Sequence, residues 1–171
     1  IAKATGMNLC VLDNIGNIVV KPCNDALFCK TARLNPELKK QCLTVAAHST
    51  FESARGRRSH IYKCNFGLTD FSVPLYYKGM YIGAICGGSA KCDLDESQYD
   101  YVMPSRDLSD YPELEAIFND MPVVEGERFI AMVQVIENLV EDINANGLTI
   151  AMQKADAKKA TGLNKLQPAI Q

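Results

Sequence analysis

The residues of this chain best equipped for chemistry are its seven cysteines, Cys10, Cys23, Cys29, Cys42, Cys64, Cys86 and Cys92. No two of them have Cys-x-x-Cys spacing, which argues against a zinc ribbon or a thioredoxin-like dithiol. An odd number at irregular intervals argues against a secreted disulfide framework. Most lie in apolar segments, where a free thiol packs as a small hydrophobe, so the plain reading is a reduced cytoplasmic protein with buried thiols. Cys29, Cys42 and Cys64 fall on two predicted helices and a predicted strand. Three thiolates meeting there could hold zinc or an iron–sulfur cluster, with Cys86 or a ligand as fourth donor. Twelve residues separate the first two and twenty-one the next two, spacings of little specificity. Inert or pocket-lining thiols are therefore favoured over a metal site by a small margin, with no certain cofactor and zinc or an iron–sulfur cluster on these cysteines as the alternative.

The second concentration of chemistry is Ile61-Tyr-Lys-Cys-Asn-Phe-Gly-Leu-Thr-Asp-Phe-Ser-Val-Pro-Leu75. A pocket for a small organic ligand needs aromatic and aliphatic walls with a few polar atoms to orient the guest. Tyr62, Phe66 and Phe71 with Thr69, Asp70 and Ser72 fit that need, although a plain core would use the same aromatics. The candidate ligand-binding set is Cys29, Cys42, Tyr62, Cys64, Phe66, Thr69, Asp70, Phe71, Ser72 and Cys86. Enzyme readings are weaker. A cysteine nucleophile wants a base and an orienting group, and only His48 and His60 are available. There is no phosphate loop, and Gly83, Gly87 and Gly88 lie within or just after a strand rather than before a helix, which suits close packing or a bulge. The chain is read as a non-enzyme.

Composition bounds the remaining classes. Hydrophobic residues make up 47 % and charged residues 22 %, with a formal net charge of −2. That suits a soluble globular protein. The only basic knot, Arg55 to His60, is too small for a nucleic-acid face. No apolar run approaches the roughly 20 residues of a membrane span. The chain opens at Ile1 rather than Met, which reads as a segment of a longer protein.

The elements that must position these residues follow from pattern. Met7–Asp13 and Ile18–Val20 read as a hairpin across an Asn-Ile-Gly-Asn turn. Asn24 or Asp25 is a candidate cap for a short helix ending near Ala32. Asn35 followed by Pro36 starts a helix running to about Ala54, with Cys42 on its apolar stripe. Strands are expected at Ser59–Cys64, Asp70–Tyr77 and Met80–Gly88, with Pro74 marking an edge or a bulge. Short helices are expected near Asp95 and at Glu113–Asn119. Phe129, Val133, Ile136, Val140 and Ile143 then alternate spacings of four and three, a heptad seam. The seam reads slightly better as a homodimer interface across residues 125–144 than as a self-packing stripe.

The Val-Leu-Asp-x-x-Gly hairpin, Leu27-Phe-Cys-Lys30, Lys40-Gln-Cys42, the Tyr62–Pro74 stretch and Ile82-Gly-Ala-Ile-Cys-Gly-Gly88 together resemble the PocR-type sensory domain, a PAS-like module of bacterial signalling and transcription regulators. The resemblance covers roughly Thr5 to Gly88. In that family cysteines occupy the places of Cys29, Cys42 and Cys64. A His often follows the third, where this chain has Asn65, and Cys86 has no family counterpart. The resemblance implies a pocket for a short diol, alcohol or related hydrocarbon derivative, joined to a signalling output. The resulting expectation is an α+β fold: a PAS-like antiparallel sheet with helices on one face and a long C-terminal signalling helix. Residues 1–122 would be the sensor, 123–159 a linker helix and 160–171 a tail, the output domain lying outside the chain. The alternatives are a cysteine-ligated metal, iron–sulfur or redox sensor and a thiol-dependent reductase on a GAF-like fold.

Overall fold

The computed structural model describes residues 2–147 together with Thr149 and Gln153. After a short helix α1 (Ala2–Thr5), strand β1 (Asn8–Asp13) returns as β2 (Ile18–Cys23). The Asp13 carboxylate closes the turn by accepting the N–H groups of Ile15 at 3.0 Å and Asn17 at 2.8 Å. Helix α2 (Leu27–Ala32) starts without a side-chain cap. Asp25, one of the two expected caps, instead takes the Arg33 guanidinium at 3.0 Å. Helix α3 (Pro36–Gly56) begins as the sequence predicts: Asn35 accepts from the N–H groups of Glu37 and Leu38 at 2.9 and 3.3 Å, and Pro36 opens the first turn. These bonds satisfy donors that would otherwise be orphaned at a helix start.

The expected three-strand run follows as β3 (His60–Lys63), β4 (Thr69–Tyr77) and β5 (Met80–Cys92). Two short strands, β6 (Tyr101–Val102) and β7 (Val123–Val124), flank helix α4 (Pro112–Asp120), and helix α5 (Gly126–Asp142) comes last. The sheet order is β2-β1-β5-β4-β3-β6, with β7 beside β5. The long strands pair antiparallel, and only β6 and β7 join in parallel. Pro74 sits where β4 has lost β3, whose pairing stops at Ser72, and a register shift follows at Leu75 and Tyr76. The fold is the expected α+β arrangement with a long C-terminal helix.

The two faces of the sheet differ in kind. One presents Leu9, Ile61, Phe71, Val73, Leu75 and Ile85 to α5. Helix α5 answers with Phe129, Val133, Ile136 and Val140, all at most 2 % exposed. This stripe is the one that sequence alone reads as an intermolecular seam. It is consumed instead by the chain's own sheet, because the facing strands carry a complementary apolar row. Four fully buried side chains of this size contribute roughly 6–12 kcal/mol, comparable to the whole stability of a domain. Residues 126–142 thus pack their apolar side into the same core as the sheet. Only Ile143, 51 % exposed, escapes the stripe. The expected continuation of this helix to Lys159 and the tail beyond it fall almost entirely outside the described residues.

The opposite face lies beneath α3. A second apolar cluster at its edge gathers Phe28, Cys29, Ala32, Leu38, Phe66, Leu68 and Leu114.

Candidate ligand site

Strand register builds the site. Cys10 lies opposite Cys86, Cys86 opposite Ser72, and Ser72 opposite His60. The neighbouring row runs Asn8, Gly88, Asp70 and Tyr62. Alternate strand residues share a face, so these eight positions lie on one side of the sheet. It is the side that α3 covers: the Ser49 hydroxyl meets Ser72 Oγ at 2.8 Å and His60 Nδ1 at 3.0 Å. A sheet face under a helix is normally apolar. This one carries a carboxylate, an amide, a phenol, an imidazole, a hydroxyl and two thiols.

Asp70 is the centre of that surface. Its Oδ1 accepts the Ser89 N–H at 2.7 Å and faces the Ser89 hydroxyl at 3.4 Å. Ser89 Oγ accepts in turn from Asn8 Nδ2 at 3.1 Å, and the same Nδ2 lies 3.3 Å from Asp25. Asp25 closes the chain on Arg33. Asn8 Oδ1 is buried with no partner among the described residues. An unpaired buried acceptor costs about 1–3 kcal/mol. Gly88 stands between Asn8 and Asp70 in the strand register, where the β4 backbone packs closely against it. Its φ of +117° favours glycine, and a Cβ there would meet Thr69 O at 2.6 Å and the Asp70 Cα at 2.8 Å. A register shift between Thr69 and Asp70 is the bulge that the glycines suggested.

Burial raises the Asp70 carboxyl from 3.8 to about 6, against the pull of the Ser89 N–H and Arg33. Burial likewise holds the thiols protonated. Cys10 is pushed up to about 11 and Cys29 to about 12, and Cys42, Cys64 and Cys86 also rise, with the Asp70 charge adding to each. Tyr62 is raised well above its usual value by the same burial and the same carboxylate. Burial lowers His60, keeping it neutral. Protonated thiols are poor nucleophiles, which disfavours thiol catalysis at this site.

The predicted site residues divide three ways. Tyr62, Asp70, Ser72 and Cys86 share the polar face. Cys29, Cys42, Cys64 and Phe66 belong to the adjoining apolar cluster, where burial and the charges of Asp70 and Cys29 raise the Cys64 thiol. Thr69 and Phe71 turn to the other side: Thr69 Oγ1 bonds the Tyr99 hydroxyl at 2.9 Å, and Phe71 meets the Phe129 ring edge-on at 6.2 Å. Cys23 is exposed, and Cys92 packs against the α5 cluster. Among the described residues no group of three or more His, Cys, Asp or Glu is arranged to hold a metal ion. Asn8, Asp25, Arg33, Ser49, His60 and Ser89, which the structure places on or beside this polar face, were not among the sequence's candidate ligand residues. The one readable signal was period two, which places Asn8 with Cys10 and Asp70 with Ser72.

A largely antiparallel sheet with an apolar face under a C-terminal helix and a polar face under a long central helix makes this an α+β module. The chain belongs to the family described as the sensory domain found in PocR, whose model matches residues 1–148. It is 26 % identical over 165 residues to Regulatory protein PocR of Salmonella typhimurium (strain LT2), a match covering 94 % of this chain and 54 % of that protein. The chain thus spans about half the length of this relative. No solved structure matches it. No helix among the described residues is long and apolar enough to cross a membrane.

Proposed function

We propose that the polar sheet face beneath α2 and α3 binds a short diol, alcohol or related hydroxylated hydrocarbon. The observation that carries this reading is the buried acceptor Asn8 Oδ1, unpartnered among the described residues, on the same polar face as the Asp70 carboxylate, whose Oδ1 already accepts from Ser89. One hydroxyl of a small carbon frame would satisfy Asn8 Oδ1 and a second would add to the bonds on Asp70. The surrounding thiols and Phe66 suit a short hydrocarbon body, since protonated cysteine packs as an apolar group. Arg33, Asp25 and Ser89 would hold the acceptors in place. No observation favours the metal, redox or reductase alternatives over this one.

Strand β4 supplies a route for the signal. Asp70 and Ser72 face the ligand, while Phe71 and Val73, between and beside them, face α5. A ligand that shifts β4 would therefore move the ring of Phe71 against Phe129 and with it the helix leading out of the domain. The output domain would lie in the part of a longer regulator that this chain does not span, in keeping with its coverage of half of its relative. Any homodimer across residues 125–144 would have to use the outer side of α5, where Val135 and Leu139 remain 53 % and 38 % exposed.

A thermal-shift panel of C2–C4 diols, alcohols and acids tests the reading, with Ser72→Phe as the blocked variant. A binder at a hundred times its dissociation constant should add about 2.7 kcal/mol to the natural protein and nothing to a folded Ser72→Phe. Absence of any shift across the panel at millimolar concentration would refute it.

A further inference from the structure

A cleft whose lining does not include Asp70 opens between α3 and the loop after β6. Its volume is about 550 Å³, and Lys40, Gln41, Val45, Asn65, Met103 and Pro104 are among its walls. Asn65 is only 6 % exposed, and its Oδ1 is buried with no partner among the described residues. The orientation of that amide is fixed from outside. Glu37 can only accept, so Gln41 must turn Nε2 toward it, at 3.3 Å. Gln41 Oε1 then faces inward and accepts Asn65 Nδ2 at 2.9 Å. The polarity of the relay leaves Asn65 Oδ1 as the one acceptor without a donor, a costly group to bury unsatisfied.

The rest of the rim is held in place. The Arg106 N–H donates to the Asn65 carbonyl at 2.7 Å, which ties the loop after β6 to the strand side of the cleft. Its guanidinium is engaged by Glu37 at 3.3 Å and the Tyr111 hydroxyl at 3.2 Å. Lys40 is different: among the described residues it takes part in no ion pair. The cleft therefore offers a free cation at its edge, apolar surface from Val45, Met103 and Pro104, and, in the lining residue Asn65, an unmet acceptor buried just behind its wall.

We infer that this cleft is a binding site for a hydroxy acid with a hydrocarbon body. The hydroxyl donates to Asn65 Oδ1, the carboxylate pairs with Lys40, and the carbon frame lies on Val45, Met103 and Pro104. Its volume falls within the range of pre-formed small-molecule sites. The inference does not rest on the diol site at Asp70.

Three probes separate the contributions: mandelate, phenylacetate, which lacks the hydroxyl, and 1-phenylethane-1,2-diol, which lacks the carboxylate. Binding is read by amide chemical-shift titration of the full chain. Mandelate should bind on the order of tenfold more tightly than either analogue, the scale of one lost polar contact. Its shifts should centre on Gln41, Asn65 and Met103. Lys40→Gln, an exposed and fold-neutral change, should remove the preference for mandelate over the diol. Asn65→Leu should remove the preference over phenylacetate. If Asn65→Leu does not fold, Lys40→Gln together with the shift map decides. Equal affinity for mandelate and phenylacetate, no binding at 10 mM, or shifts centred on Asp70 and abolished by Asp70→Asn would each overturn the proposal.

Discussion

Replacing Asp70 by Asn should make the protein more stable at neutral pH while blunting its response to a diol. In the fold, burial raises this carboxyl from 3.8 to about 6. At about 1.4 kcal/mol per pKa unit, a displacement of roughly two units corresponds to about 3 kcal/mol of strain on the charged form. Asp70 keeps partial exposure as a residue, and screening lowers the expected effect to about 2 kcal/mol. Below the unfolded pKa the group is protonated in both states and contributes nothing. As pH rises toward 6 the unfolded chain releases the proton and the folded chain retains it, so stability falls; above 6 the penalty is constant. Asparagine keeps an acceptor for the Ser89 N–H but carries no charge to desolvate. The gap between Asp70→Asn and the natural protein should therefore open between about pH 4 and 6 and stay flat above. His60 titrates with the opposite sign, its depressed pKa costing stability as pH falls through 6.5 and below. It is present in both proteins and cancels in the difference. Urea unfolding at half-unit pH steps measures this directly. A gap that does not change with pH, or an Asp70→Asn protein less stable at pH 8, would show that Ser89 and Arg33 outweigh burial and would refute the argument.

Two further outcomes follow from the burial pattern. Ile136→Glu should unfold the chain by circular dichroism, because a charge forced into the α5 interface costs several kcal/mol of a total near 5–15. Val135→Glu, one position away on the exposed side, should stay within about 0.5 kcal/mol of the natural protein; a folded Ile136→Glu would contradict the packing. In thiol labelling at pH 7.5, Cys23 should react first, while Cys29 and Cys86 should react only as fast as the protein opens. Rapid modification of Cys29 in the folded state would contradict its enclosure.

The sequence was legible wherever local signals act alone. The Asp13 turn, the Asn35–Pro36 start and the β4–β5 hairpin are set by residues within a few positions of one another, and they appear where pattern places them. The stripe Phe129 to Val140 was legible as apolar but not as to its partner, since periodicity says that a face is buried and not against what. The make-up of the candidate site was half legible for a similar reason. Cys29, Cys42 and Tyr62 could be named by type, but Phe71 and Asp70 are adjacent and point to opposite sides, so listing both as pocket residues ignores the pleat. Asn8 and Ser89 were invisible because only the β1–β5 register, fixed across eighty residues, brings them beside Asp70.

The opposed characters of the two sheet faces also guard against misfolding. A slip of one residue in the pairing of β4 would drive Asp70 and Ser72 into the α5 interface and turn Phe71 and Val73 toward the serine-bearing side of α3. Both sides would lose at once, whereas a sheet polar or apolar on both faces would tolerate the slip. The glycines at 87 and 88 sharpen the penalty, because each stands where any other residue would strike the neighbouring strand's backbone. Competing alignments of these strands are thus disfavoured during folding by the same alternation that separates the polar face from the apolar core.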